Sequence, residues 1–231
     1  MIRRKPKDSQ RDDQKLIVQN KPLSPLAEQF RMIVENIELM SIDKKIKSLL
    51  ITSADPSSGK SIISSNLAVA FAQKGKKTLL IDADLRKPTI HKYFRNEVSL
   101  GLMGLVKKES TIEGAIFESD SPNLYILQAG IIPANPTSIL ASERLKEVFA
   151  ELEELFDQII VDTPPILAVA DAQILSGMTD ASVLVIRNDY TVTERARKAS
   201  TRLEQSSKLF LGAVFNNQKQ KQDHYYYQEK E

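Results

Sequence analysis

At 231 residues, 42% of them hydrophobic, the chain suits one globular domain with a sizeable core. It has no cysteine and only two well-separated histidines, His91 and His224, which excludes disulfides, a thiol nucleophile and a Cys- or His-ligated structural zinc. The net charge of +2 conceals an asymmetry: residues 1–21 carry seven Lys or Arg against three Asp, leaving a body near −2, which does not favour nucleic-acid binding.

The opening "MIRRKPKDSQRDDQKLIVQNK" reads as a basic, flexible leader, a solvated tail able to touch an anionic lipid surface. It lacks the apolar stretch of a signal peptide, and no later run approaches the roughly 20 apolar residues that span a bilayer, so a cytoplasmic protein is expected. Next, "SPLAEQFRMIVENIELM" predicts a helix with Ser24 as N-cap, Pro25 at the first position and Leu26, Phe30, Ile33 and Ile37 at helical spacing. Six short apolar runs follow as strands: "IKSLLIT", "KTLLIDA", "NLYILQA", "QIIVD", "ASVLVIR" and "LFLGAVF". Helix candidates lie between them, among them "SIISSNLAVAFAQK", closed by Gly75, and "SERLKEVFAELEELF". "GLMGLV" reads as a short surface helix. The alternation predicts an α/β fold, a mostly parallel sheet with helices on both faces, in a domain spanning 22–216.

After the first strand comes "SADPSSGKS", opening a helix, which is the setting of a phosphate-binding loop. The usual pattern GxxxxGK[ST] has a first glycine where this chain has Ala54, while Gly59, Lys60 and Ser61 keep their places. Backbone N–H groups of the loop's second half and the helix N-terminus hold phosphates, so the nucleotide-binding set is Ser57, Ser58, Gly59, Lys60, Ser61 and Ile62. Lys60 would reach the β- and γ-phosphates of ATP, and the Ser61 hydroxyl would ligate Mg2+. Two acidic motifs end other strands. "LLIDADLRKP" supplies Asp82 and Asp84, one able to face a metal and the other a nucleophile, and "IIVDTPP" supplies Asp162 as a Walker B acid. In a parallel sheet all these strand ends share one edge, where ligands bind, so the loop and the three carboxylates can converge. Asp82 or Asp84 taken alone has a lesser alternative as a helix cap or turn residue. Arg86 and Lys87 are either a grip for phosphate or an acidic tail, or a solvated pair. Of the tyrosines in the body, Tyr125 reads as core.

From Asn216 to Glu231 there is no aliphatic residue and no phenylalanine, yet Tyr225, Tyr226 and Tyr227 stand together. Such a segment cannot offset the entropy of ordering, so 217–231 reads as a flexible tail with its tyrosines in solvent. If the last strand is parallel, the tail leaves on the ligand edge, and about sixteen flexible residues span on the order of 20 Å.

These motifs, with "VADAQIL", "GIIPANPTSILAS" and the tyrosine cluster, resemble the bacterial tyrosine kinases, which use a Walker-type site and are related to the MinD and ParA ATPases. The resemblance implies an ATP- and Mg2+-dependent protein-tyrosine kinase of the Gram-positive cytoplasmic type. It further implies autophosphorylation at Tyr225, Tyr226 and Tyr227, a role in capsule or exopolysaccharide synthesis, and recruitment to the inner face of the membrane by an activator protein's cytoplasmic tail. It assigns catalysis to Lys60, Asp82, Asp84 and Asp162, with Asp82 as base, metal binding to Ser61, Asp84 and Asp162, and an adenine contact to Asn216; unaided, Asn216 could equally be a turn residue. A subunit-ring motif ExxRxxR on the first helix is incomplete: Glu28 and Arg31 are present, but Val34 replaces the second arginine. Two alternatives are a MinD- or ParA-like positioning ATPase, whose signature lysine is Asp55 here, and a nucleotide-bound scaffold of a polysaccharide export complex.

Overall fold

The computed structural model describes residues 16–41, 44–94 and 100–217. A short helix α1 (Ile17–Asn20) precedes the long helix α2 (Pro25–Met40). Helix α2 begins as its sequence predicts: Ser24 Oγ accepts from Ala27 N at 3.2 Å, and Pro25 occupies the first position, where no N–H is required. Strand β1 (Ser48–Ser53), helix α3 (Lys60–Gln73) and strand β2 (Thr78–Asp82) follow. Helices α4 (Gly101–Val106) and α5 (Ile112–Ala115) lead to strands β3 (Ile116–Glu118) and β4 (Leu124–Leu127). Helices α6 (Pro136–Leu140) and α7 (Glu143–Leu155) precede β5 (Gln158–Asp162). Helix α8 (Asp171–Ser176), β6 (Ala181–Arg187), α9 (Thr193–Ser206) and β7 (Phe210–Asn216) complete the described chain.

Among the described residues the sheet has the order β3-β4-β2-β5-β1-β6-β7, parallel throughout except for β3 against β4. All six runs read as strands are strands. Only β3 escapes the sequence, because three residues are too few to display an alternation. Strands β1, β2 and β5 are buried along their whole length, as expected of runs covered on both faces.

Two cores result. On one face Leu50, Leu79 and Val161 pack with Leu145, Val148 and Leu152 of α7; on the other, Leu49, Leu80 and Ile160 pack with Phe30 and Ile37 of α2 and Leu67 and Phe71 of α3. Full burial of each such side chain contributes about 1.5–3 kcal/mol. Helix α3 lies between the sheet and α2, and it is buried at most of its positions, as a helix covered on both sides must be.

Two readings shift. Leu16 and Val18 are buried in the second core, and Val18 N donates to Asn66 Oδ1 at 3.0 Å, so packing extends to the leader side of residue 22; the apolar "LIV" ends a segment whose composition is dominated by charge. Helix α4 is not a surface helix, since Leu102, Met103 and Leu105 are at most 1% exposed. On α2, Val34 is fully buried with Ala27, Phe30 and Ile37, while Glu28 and Arg31 pair with each other at 2.5 Å. Among the described residues no helix is long and apolar enough to cross a membrane. Tyr225, Tyr226 and Tyr227 lie outside the described residues, as do residues 1–15.

Candidate functional site

The loop between β1 and α3 turns on two left-handed residues, Ser57 at φ 60° and Gly59 at φ 87°. Such reversals point successive N–H groups into one concavity and make an anion cradle at the helix N-terminus. Ala54, fully buried at the place of the usual first glycine, lies outside that reversal. The loop's carbonyls are held from outside: Arg187 Nη1 donates to Ser57 O at 3.0 Å, and Asn216 Nδ2 donates to Ser58 O at 2.9 Å. Asp55 accepts from Arg195 Nε at 2.6 Å, so the position that carries a signature lysine in positioning ATPases is an acid tied to α9 of the same chain.

Gly59 is needed twice over. A Cβ there would lie 2.1 Å from Asn216 Nδ2, and its φ is one that residues with side chains rarely adopt. We expect Gly59→Ala to weaken nucleotide binding about tenfold or more, and Gly59→Ala with Asn216→Ala to recover only part of it, since the second change relieves the clash and not the backbone strain. Titration with a fluorescent nucleotide checks this.

The acids converge as the parallel sheet requires. Asp82 and Asp162 are register partners on β2 and β5. Ser61 Oγ donates to Asp162 Oδ2 at 2.6 Å and Ser64 Oγ to Oδ1 at 3.0 Å. The Lys60 ammonium lies 3.1 Å from Asp84 Oδ2 and 3.3 Å from Asp162 Oδ2, the cation that both carboxylates share. Burial pulls the lysine's pKa down, but Asp162 and Asp84 outweigh it and raise the value. Asp162, with no exposed surface, is pushed above the usual carboxylate range by burial, despite Lys60, Ser61 and Ser64. The oxygens of Ser61, Asp84 and Asp162 form a hard donor set of the kind that suits magnesium, which keeps other places for water and phosphate.

Asp82 and Asp84 are not equivalent. Asp84 lines the cavity, whereas Asp82, 1% exposed, lies beneath and anchors the following turn: its Oδ2 accepts from Thr89 N and Ile90 N at 2.9 Å each, and its Oδ1 from Asp84 N at 3.2 Å. Burial first, then the charge of Asp162, raise the Asp82 pKa from 3.8 to about 7, against the two N–H donors and Lys60. Between those values the folded chain keeps a proton that the unfolded chain has released, so stability present below pH 3.8 is lost as pH rises towards 7. In EDTA and without nucleotide, the fall should reach at most about 1.4 kcal/mol per pH unit from this group. Asp82→Asn should flatten it in urea titrations across that range; an unchanged slope would refute the assignment.

Of these groups Lys60, Ser61 and Asp84 face a cavity of about 530 Å³, which Asp82 and Asp162 do not line. Three walls form it: the loop with Ser57, Gly59, Lys60, Ser61 and Ile62; the segment from Asp84 to Tyr93; and the stretch after Asp162 with Pro164, Pro165 and Val169. Ser58 is buried, its Oγ donating to Asp55 O at 2.9 Å, and Asn216 braces the loop without lining this cavity. Sequence reasoning missed Tyr93 and Thr89 in the second wall, and it missed the anchoring of Arg86. Arg86 Nε donates to Asp171 Oδ2 at 2.7 Å, and its Nη2 reaches Asp171 Oδ1 at 3.2 Å and Thr137 Oγ1 at 3.0 Å. Both partners stood within quoted motifs, but nothing local links them.

Residues 46–205 match the AAA domain family model. The chain is 48% identical over 204 residues to the tyrosine-protein kinase YwqD of Bacillus subtilis, covering 88% of this chain and 86% of that one. It is 42% identical over 213 residues to the putative tyrosine-protein kinase CapB of Staphylococcus aureus, covering 92% and 93%. The crystal structure of the chimerical protein CapA2B2 superposes with a TM-score of 0.86 at 36% identity, over 90% of this chain and 91% of that one. The septum site-determining protein MinD of Pyrococcus horikoshii shares the fold, with a TM-score of 0.63 at 23% identity over 73% and 69% of the two chains.

Proposed function

The chain belongs to the bacterial tyrosine-protein kinases and is itself a protein-tyrosine kinase, and from that premise we propose that it transfers the γ-phosphoryl group of ATP to its own C-terminal tyrosines, Tyr225, Tyr226 and Tyr227. The observation that carries this reading is the contact of Asn216 with the loop: the last residue of β7 touches Ser58, so the tail departs beside the phosphate cradle.

The loop N–H groups of residues 57–62 hold the phosphates, and Lys60, released from its carboxylates, follows the charge of the group in transfer. Ser61, Asp84 and Asp162 would hold Mg2+, which when bound neutralises phosphate charge. The tyrosine oxygen forms a bond to the γ-phosphorus as the bond to the ADP oxygen breaks, and the phenol proton is taken by Asp82 once the turn that its carboxylate holds through Thr89 N and Ile90 N moves aside. The adenine contact assigned to Asn216 rests on the family resemblance; in this chain its side-chain amide donates to Ser58 O and accepts from Asn217 N.

The wider role we propose is control of capsule or exopolysaccharide synthesis, with a membrane-anchored activator whose cytoplasmic tail recruits the kinase, and with other copies of this chain as further partners. Residues 1–15 would remain a basic leader. Added phosphates, about −1.5 to −2 charge each, repel neighbouring carboxylates and release a tail held in an active site. The test is incubation of the chain with magnesium and labelled ATP, with and without the activator's cytoplasmic fragment, followed by mass-spectrometric mapping. Phosphotyrosine at 225–227 is expected; ATP turnover with no phosphotyrosine under either condition would overturn the proposal.

A further inference from the structure

Arg86 is the one wall residue whose charge is both exposed to the cavity mouth and anchored from behind. Its side chain is 39% exposed, while Asp171, which receives it through two nitrogens, has no exposed surface. Thr137 closes the arrangement: its hydroxyl donates to Asp171 Oδ1 at 2.7 Å and accepts from Arg86 Nη2 at 3.0 Å. The anchor therefore draws on α6, α8 and the turn after β2, and it ties the wall from Asp84 to Tyr93 to the stretch that follows Asp162. Nη1 takes no part in any of these contacts. A planar fork held from behind presents its remaining N–H groups in a fixed direction, which suits an oxygen anion.

Which anion it meets follows from the other residues. The phosphate side already has the loop and Lys60. On the wall with Arg86 stand a second exposed cation, Lys87, and Thr89, whose Oγ1 is buried with no hydrogen-bond partner among the described residues. The chain's own tyrosine cluster is flanked by Asp223, Glu229 and Glu231. Resting on the kinase reading above, we propose that Arg86 determines acceptor specificity by binding a carboxylate that flanks the acceptor tyrosine. Asp171 and Thr137 are its positioning residues.

Binding can be read without turnover. The full chain, loaded with magnesium and a non-hydrolysable ATP analogue, is titrated into two fluorescein-labelled peptides, QDHYYYQEKE and its neutralised counterpart QNHYYYQQKQ. The wild type should bind the acidic peptide about tenfold more tightly, the scale of one charge-assisted hydrogen bond. Arg86→Lys keeps the charge but loses the fork, and Thr137→Val keeps the shape but loses the hydroxyl. Both should bring the ratio towards one, with the melting temperature confirming the fold and the nucleotide affinity of Thr137→Val within about twofold of wild type. The proposal fails if the wild type binds neither peptide or does not distinguish them, or if the variants keep the full ratio. It also fails if Thr137→Val loses nucleotide affinity while still telling the peptides apart, which would make Arg86 a phosphate ligand. Loss of phosphotyrosine formation with peptide discrimination intact would instead count against the kinase reading.

Discussion

Lys60→Met is expected to lower phosphotyrosine formation by about 10³-fold, the scale seen when a preorganised charge facing a transition state is removed. The same change should act on the folded chain in a way that depends on pH. Lys60 is the cation shared by Asp84 and Asp162, and removing one partner of a buried pair costs about 3–5 kcal/mol because the other charge is left uncompensated. Asp162 already binds its proton more tightly than an ordinary carboxylate, and without the ammonium it can escape much of the penalty by staying protonated. Urea midpoints of Lys60→Met should therefore approach those of wild type at pH 5 and fall well below them at pH 8. A constant difference across that range would mean that Lys60 is not the counter-charge of Asp162. Lys60→Arg should remain nearly inactive, since a planar fork cannot occupy the place of a compact ammonium 3.1 and 3.3 Å from its two partners.

Replacing Tyr225, Tyr226 and Tyr227 together by Phe should abolish self-labelling while leaving phosphorylation of an added tyrosine peptide within about twofold. Strand β7 runs parallel to β6 and ends at Asn216, against the loop. From Asn217 to Tyr225 the chain extends at most about 27 Å at ~3.4 Å per residue, enough for its own cavity or a neighbour's. A mixture of Lys60→Met, with an intact tail, and the triple Phe chain, with an intact site, separates the routes. Label on the Lys60→Met chain demonstrates transfer between subunits, and its absence, with each wild-type control active, demonstrates transfer within one.

Much of this architecture was legible because it rests on local chemistry. The six apolar runs, the cap at Ser24, the loop before α3 and the acids ending β2 and β5 are each set by a few consecutive residues. The parallel topology then had to gather them, since parallel strands present all their carboxyl ends at one edge. The errors share one cause as well. Leu16 and Val18 sat in a charged segment and "GLMGLV" in a short one, and whether such a run is covered depends on what packs over it.

By itself, then, the sequence determined six of the strands in their order, the α/β class, the phosphate loop and the acids, because propensity, apolar period and turn chemistry act over spans shorter than one element. Only the tertiary structure decided which aspartate lines the cavity and which anchors the turn beneath it, that Asn216 braces the loop, that Arg195 ties Asp55, and that Arg86 is held by Asp171 and Thr137. Those contacts join residues as far apart as 158 positions, as between Ser58 and Asn216. Hydrogen bonds and ion pairs depend on distance and direction in space, and spacing along a chain does not encode either across separate elements.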